Sequence, residues 1–281
     1  MKPRSWWRMP AAVAAAVLAL AATPLRAGAA DSQAAGPTVA PIEADLINTD
    51  RPGIADSSAV IDRGRLQLEI GYQVDFGDEQ GAKSQTSYVP ALFRFGLGNE
   101  LEGRIETNTY MWEHTGDASG SATTSGWPAG SLGLKYRFMD AAGPRRPALA
   151  VIGRVFPASG SNGFGTTRLT TDARLAADVD LSDAWSLNPN IGLGRYEGGN
   201  GTAFTATLVA VTLTYAPAPH LSPFVDVAWQ SPVDIDGPSS LLIDGGLGYV
   251  VGRNIQLDVS AGYGVHGPAP KPFISFGVSL R

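Results

Sequence analysis

Cysteine is missing from all 281 residues. That excludes a disulfide framework, a thiolate zinc site, a cysteine nucleophile and a lipid-modified N-terminal cysteine. Charge is scarce too: 17% of residues are charged, against about 25% in an ordinary soluble domain. Only three histidines are present, which leaves little for metal ligation or general base chemistry. No apolar run approaches the roughly 18 residues of a membrane-spanning helix. Basic residues are outnumbered 26 to 21, a net charge of −5, which argues against nucleic acid as a partner. What is abundant is glycine, with 34 residues, in a chain that is 44% hydrophobic. A Gly-rich, weakly charged chain without a spanning helix leaves two classes, a soluble all-β domain or a membrane β-barrel.

The first residues indicate the compartment. Lys2, Arg4 and Arg8 precede a short apolar stretch, Ala11 to Ala22, and Ala27-Gly28-Ala29 supplies the small-x-small pattern for cleavage before Ala30. Residues 1–29 are therefore expected to be a cleaved signal peptide. Its loss removes Lys2, Arg4, Arg8 and Arg26 and no acid, so the exported chain is more acidic still. Residues 30–64 are expected to form a flexible N-terminal segment, periplasmic or a plug. Its first part, Asp31 to Asp45, is polar and lacks periodicity, and its second opens on the turn-rich Asn48-Thr49-Asp50-Arg51-Pro52-Gly53.

From Arg65 the apolar residues recur at every second position. Leu66, Leu68, Ile70, Tyr72, Val74 and Phe76 alternate with Gln67, Glu69, Gly71, Gln73 and Asp75. Leu101 and Ile105 alternate with Glu102, Arg104 and Glu106, Ala173 and Leu175 with Asp172 and Arg174, and Leu257 and Val259 with Asp258 and Ser260. Period two is the signature of strands. The runs are 65–76, 84–97, 100–112, 128–139, 148–157, 166–181, 185–196, 202–215, 221–230, 240–250, 254–264 and 271–280. About twelve strands near the crossing length of 9–11 residues fit a transmembrane antiparallel up-and-down β-barrel over 65–281. A soluble sandwich alternates as well.

Two patterns favour the barrel. Connections 98–99, 182–184, 216–220 and 251–253 are short, whereas 113–127, 197–201, 231–239 and 265–270 are longer, with 140–147 intermediate. Short turns on one side and longer loops on the other mark outer-membrane barrels. Aromatics also gather near strand ends (Phe76, Trp112, Phe138, Trp185, Tyr196, Tyr215, Trp229, Tyr249 and Tyr263), as interfacial girdles require. Pro90, Pro189 and Pro223 fall inside runs and point to bulges or strand starts there.

The opening Asn48-Thr49-Asp50-Arg51-Pro52-Gly53, followed by Gly64-Arg65-Leu66-Gln67-Leu68-Glu69-Ile70-Gly71-Tyr72, resembles the outer-membrane transporters of the MetA-pathway of phenol degradation family. So do Phe93 to Glu102, Leu132 to Arg137 and Leu257 to Gly264. The resemblance runs over essentially the whole exported chain and implies a bacterial outer-membrane barrel linked by name to aromatic uptake. It brings no catalytic residues. One departure is the ending Val278-Ser279-Leu280-Arg281, where barrels usually finish on an aromatic.

If the apolar face meets lipid, the other lines the lumen. That assigns inward Arg94, Glu102, Arg104, Glu106, Lys135, Arg137, Arg154, Arg168, Asp172, Arg174, Asp178, Asp226, Asp244 and Asp258. The bases fall on the second to sixth runs and the ninth to eleventh carry acids alone, which sets a transverse field across the pore. An ion-pair network filling a narrow lumen is the alternative. Asp50 and Arg51 are candidate plug contacts, or a turn whose aspartate bonds its own backbone. His114 lies near Glu113 and Asp117, and His220 and His266 lie in connections; none has the spacing of a nucleophile–base pair.

The expected function is passive uptake of small solutes, aromatic or apolar compounds among them, through an outer-membrane channel. No enzyme activity, cofactor or metal is expected. The expected partners are outer-membrane lipids, the solute and the barrel assembly machinery; the sequence leaves the oligomeric state open. The alternatives are a structural barrel with a blocked lumen and a barrel hydrolase.

Overall fold

Alternation from Leu66 onward does produce strands. A computed structural model of the chain describes residues 46–79, 82–117, 120–142 and 146–281. The expected signal peptide, 1–29, and the linker up to residue 45 lie outside the described residues. The strand segments are β1 (Leu66–Glu79), β2 (Ala82–Tyr88), β3 (Ala91–Gly96), β4 (Leu101–Thr107), β5 (Met111–Asp117), β6 (Gly120–Gly126) and β7 (Ser131–Met139). They continue with β8 (Ala148–Phe156), β9 (Thr170–Asp180), β10 (Trp185–Glu197), β11 (Ala203–Tyr215), β12 (Leu221–Ser231), β13 (Ser240–Val251), β14 (Ile255–His266) and β15 (Phe273–Leu280). Among the described residues there is no helix.

Three strands are interrupted part-way. β2 and β3 both pair with β1 on either side of Val89-Pro90, and β4–β5 and β6–β7 break at the same level of the wall, at 108–110 and 127–130. Joined, the fifteen segments make twelve antiparallel strands in sequential order, and β15 pairs back onto β1 from Leu68↔Leu280 to Asp75↔Phe273. Closure pairs the edge donors and acceptors that hydrocarbon cannot satisfy.

Burial separates the barrel from the sandwich. Leu66 is 65% exposed, Leu193 59% and Phe276 52%, while Glu69, Glu102 and Lys135 are fully buried. A water-soluble sandwich would have those values reversed. Apolar side chains outside and charges inside are the arrangement of a barrel in lipid. Exposed aromatics ring both ends. Trp185 stacks on Tyr215 at 4.6 Å beside the 181–184 turn, and Tyr110 packs against Trp112 and Trp127 at 4.9 Å near the longer connections. Tyr196, expected in that ring, faces inward instead and donates its hydroxyl hydrogen to Asp172 at 3.2 Å.

Two expectations change. Residues 113–127 are not a loop: β5 and β6 form a hairpin standing beyond the interruption, paired from Met111↔Gly126 to Asp117↔Gly120. The sixth strand begins at Thr170 rather than 166, because Glu197 draws the backbone N–H of Thr167 and of Arg168 out of line. Each proline sits where a ladder on one side is interrupted, while Pro189 and Pro223 stay in register with Val211 and Leu247 on the other. Pro90 is in a break, Pro189 falls in the one gap of the β9–β10 register, and Pro223 lies just before the β11 ladder starts at Phe224.

Candidate functional site

Residues 46–64 occupy the lumen. The segment enters at the short-turn end, where Ile47 N–H donates to Arg253 O at 2.8 Å, and returns to the same end, where Gly64 N–H donates to Gly96 O at 2.8 Å. Between those points it is held by side chains that the period-two pattern aims inward.

The basic wall meets the acids of the segment. Asp50 accepts from Lys135 Nζ at 2.9 Å and pairs with Arg104 Nη1, while Asp56 pairs with Arg104 Nη2 at 3.0 Å and Arg174 Nη1 at 3.2 Å. Lys135 also donates to the carbonyl of Ser57 at 2.8 Å. Arg94 joins Glu69 at 2.9 Å to Glu102 at 2.8 Å and donates to the carbonyls of Asn48 and Ala59. Arg154 bridges Glu106 at 2.7 Å and Asp172 at 2.6 Å. Burial alone would raise the Asp50 carboxyl, yet Arg94, Lys135 and Arg104 hold it well below the usual aspartate range. Asp56 is lowered the same way, by Arg104 and Arg174 acting against burial and against Asp50.

The acidic wall meets Arg51 of the segment. Arg51 donates to Asp258 Oδ1 at 2.8 Å and to Ser275 Oγ at 3.1 Å. Its guanidinium lies across the cross-strand pair Gly71↔Gly277, where an added Cβ would come within 2.7 Å of it at Gly71 and 2.5 Å at Gly277. Asp226 accepts from Ile54 N–H at 2.8 Å, with Asp244 directly opposite it in register. Asp178 accepts from Ser58 N–H at 2.9 Å.

Thus Arg94, Glu102, Arg104, Glu106, Lys135, Arg154, Asp172, Arg174, Asp178, Asp226, Asp244 and Asp258 all project to the inner side. Arg137 lies at a strand end, half-buried, and pairs with Asp140 at 3.1 Å. Arg168 precedes β9 and is exposed, 4.0 Å from Glu197. Asp50 does bond its own segment, accepting from Ser57 N–H at 3.0 Å, but its carboxylate also spans to Arg104 and Lys135. Residues not singled out from sequence are Glu69, which accepts from Asp50 N–H and Arg51 N–H, Asn190, which pairs with both backbone groups of Asp56, and Gln256, which donates to Thr49 and Arg51. The alternation of β1 marks Glu69 as inward, and that of β10 (Leu187, Ile191 and Leu193 against Asn188 and Asn190) marks Asn190.

Cavities lie beside the segment among the described residues. One of about 300 Å³ lies between it and the interrupted strands, touching Pro90, Asn108 and Ala129. Another, about 520 Å³, is walled by β10 to β13. Among the described residues no three His, Asp or Glu side chains form a metal-binding group. His114 lies on β5 and pairs with Thr123 Oγ1 at 2.9 Å across the exposed hairpin.

The family described as "Putative MetA-pathway of phenol degradation" matches residues 49–281, which take in all but the first three residues of the docked segment and every strand. The chain belongs to that family. This phenol-degradation family barrel is similar in fold to an outer-membrane channel from Pseudomonas putida F1, with a TM-score of 0.63 and 14% identity over 79% of this chain and 96% of that one. The transport unit of the autotransporter AIDA-I from Escherichia coli gives a TM-score of 0.50 and 13% identity over 84% of this chain and 92% of that one. No curated protein sequence matches. The family member is an outer-membrane β-barrel, as its lipid-facing belt requires.

Proposed function

We propose that this family member is a passive outer-membrane channel for small solutes, aromatic and apolar compounds among them, and that segment 46–64 is its plug. The observation that carries this is how the lumen is filled. Side chains alone just fill a barrel of about eight strands, and twelve strands enclose more room than that. Here the interior is occupied by a separate stretch of chain, held by hydrogen bonds and ion pairs, with cavities of about 520 and 300 Å³ left beside it. A path of that kind opens by local movement of one segment, without disturbing the ladders. The aromatic preference rests on the description of the family.

The walls also suit selection. The bases on β3 to β9 pair with the segment's acids, and Asp258 and Asp226 on the far side hold Arg51 and Ile54 N–H, so a solute passing the segment runs between fixed polar groups. A hydrolase is disfavoured by His114, whose ring is spent on Thr123 in an exposed hairpin.

The test is single-channel recording in planar bilayers. The full protein gives small ohmic steps, and deletion of residues 46–64 enlarges them while heat-modifiable migration is kept. Silence from both folded proteins would sink the channel reading; equal conductance would sink the plug.

A further inference from the structure

The outward residues of β10 change character along the strand. It leaves the 181–184 turn at Trp185, whose ring stacks on Tyr215 at 4.6 Å, and then presents Ile191 and Leu193 to lipid, 55% and 59% exposed. The next outward residue is Arg195, also exposed. At about 3.3 Å per residue and a tilt of about 40°, the rise from Trp185 to Arg195 is about 25 Å, the height of the apolar band of a barrel. Arg195 therefore stands at the hydrocarbon boundary opposite the Trp185 girdle. That end carries the longer connections and faces the outer leaflet.

Nothing in the protein answers that charge. Among the described residues the Arg195 guanidinium has neither a hydrogen bond nor an ion pair. Its cross-strand neighbours are Thr171 on β9 and Thr205 on β11, both exposed, so a hydroxyl stands on either side of it on the lipid-facing surface. The acid that follows on the same strand, Glu197, is already engaged. It accepts from Thr167 N–H at 2.7 Å and from Arg168 N–H at 3.3 Å, and its side chain is 7% exposed. The Arg168 guanidinium lies 4.0 Å from Glu197 and is itself exposed, a second cation at this end. A cation facing the edge of the hydrocarbon is favoured where an anion meets it.

We propose that Thr171, Arg195 and Thr205 bind a phosphate of the phosphorylated glycolipid of the outer leaflet, with Arg168 drawing a second phosphate of the same molecule. A guanidinium presents N–H donors in a fork that matches two phosphate oxygens, and the threonine hydroxyls can donate to the others. The acyl chains then run down past Leu193, Ile191 and Leu175, all exposed on the same face. Phospholipid phosphates of the inner leaflet lie at the Trp185 end, about 25 Å away, and do not reach Arg195. The site lies outside the lumen and is independent of how solutes pass through it.

The test is a titration of the full protein, refolded in detergent, with three fluorescent lipids: lipid A bearing both phosphates, the same lipid dephosphorylated, and phosphatidylglycerol. The bisphosphorylated lipid is expected to bind saturably and most tightly. Arg195→Gln is expected to weaken it about tenfold, the effect of losing one charge-assisted hydrogen bond. Arg146→Gln, which removes an exposed cation from the 140–147 connection, is expected to leave it unchanged. Heat-modifiable migration is retained in both variants, since neither side chain takes part in a ladder. Unchanged affinity in Arg195→Gln, an equal loss in Arg146→Gln, or binding indifferent to the phosphates overturns the site. Phosphatidylglycerol bound as tightly as lipid A overturns its assignment to the outer-leaflet glycolipid.

Discussion

Arg51 shows how narrowly the plug is fitted. Its guanidinium occupies the space that two paired glycines leave on β1 and β15, and from there it reaches Asp258. In Gly277→Ala the new methyl group must push the guanidinium away. The strands stay paired, because glycine is not needed for that backbone. The expected outcome is an intact barrel with a loosened plug, seen as larger or noisier conductance and faster proteolysis near Arg51; unchanged behaviour would show that the arginine yields without consequence. Asp50 makes a second residue-scale case. Its carboxyl is held below the ordinary aspartate value of 3.8, so its stabilising effect is present above that value and disappears as pH falls through the lower folded one. The stability difference between wild type and Asp50→Asn should therefore be constant from pH 7 to 5 and close only below 3.8 in urea titrations. At this scale most of the inner charges were legible, since parity alone sorts Arg104, Lys135 and Asp258 from their apolar neighbours. Arg168 was not, because an acid on another strand, Glu197, fixes where its own strand begins.

The elements divide by whether they have a buried face. Strands such as β10 and β11 bury one face in the lumen and show the other to lipid, so alternation writes their limits into the sequence. The β5–β6 hairpin has almost no buried face, with every residue of β6 exposed except Gly126, and its Ser, Thr and Gly read as a loop. Its strands exist because their backbones pair, which side-chain periodicity does not record. Removing residues 113–124 should accordingly leave heat-modifiability and conductance unchanged, as a bilayer recording with a gel-shift control would show. Loss of folding would mean that the hairpin supports the interrupted strands below it. The docking of residues 46–64 was legible only as a candidate, since nothing in Thr49-Asp50-Arg51-Pro52 distinguishes a docked turn from a free one. What decides is the set of partners on distant strands.

For the molecule as a whole, the solvent on each face is decisive. Leu134 is 52% exposed and Lys135, its neighbour, is fully buried. Leu134→Arg puts a cation against hydrocarbon and should cost about 2–4 kcal/mol near the bilayer midplane, measured by reversible unfolding from lipid vesicles. A cost near zero would place that belt outside the membrane. The number of strands and the closure follow from the same contrast, and both could be read from alternation together with the lengths of the connections.

Arg51 and Asp258 are separated by 207 positions in the chain, yet they meet in the finished lumen. Contacts that remote form late, because the intervening chain must be ordered first. The plug precedes the first strand, but its arginine site is built from the last two, β14 and β15. It is made first and seated last. A barrel stalled before its final hairpin joins β1 has no complete seat for Arg51. Seating of Arg51 thus reports completion: only a barrel that has closed its own seam brings Gly71 and Gly277 together beneath its guanidinium.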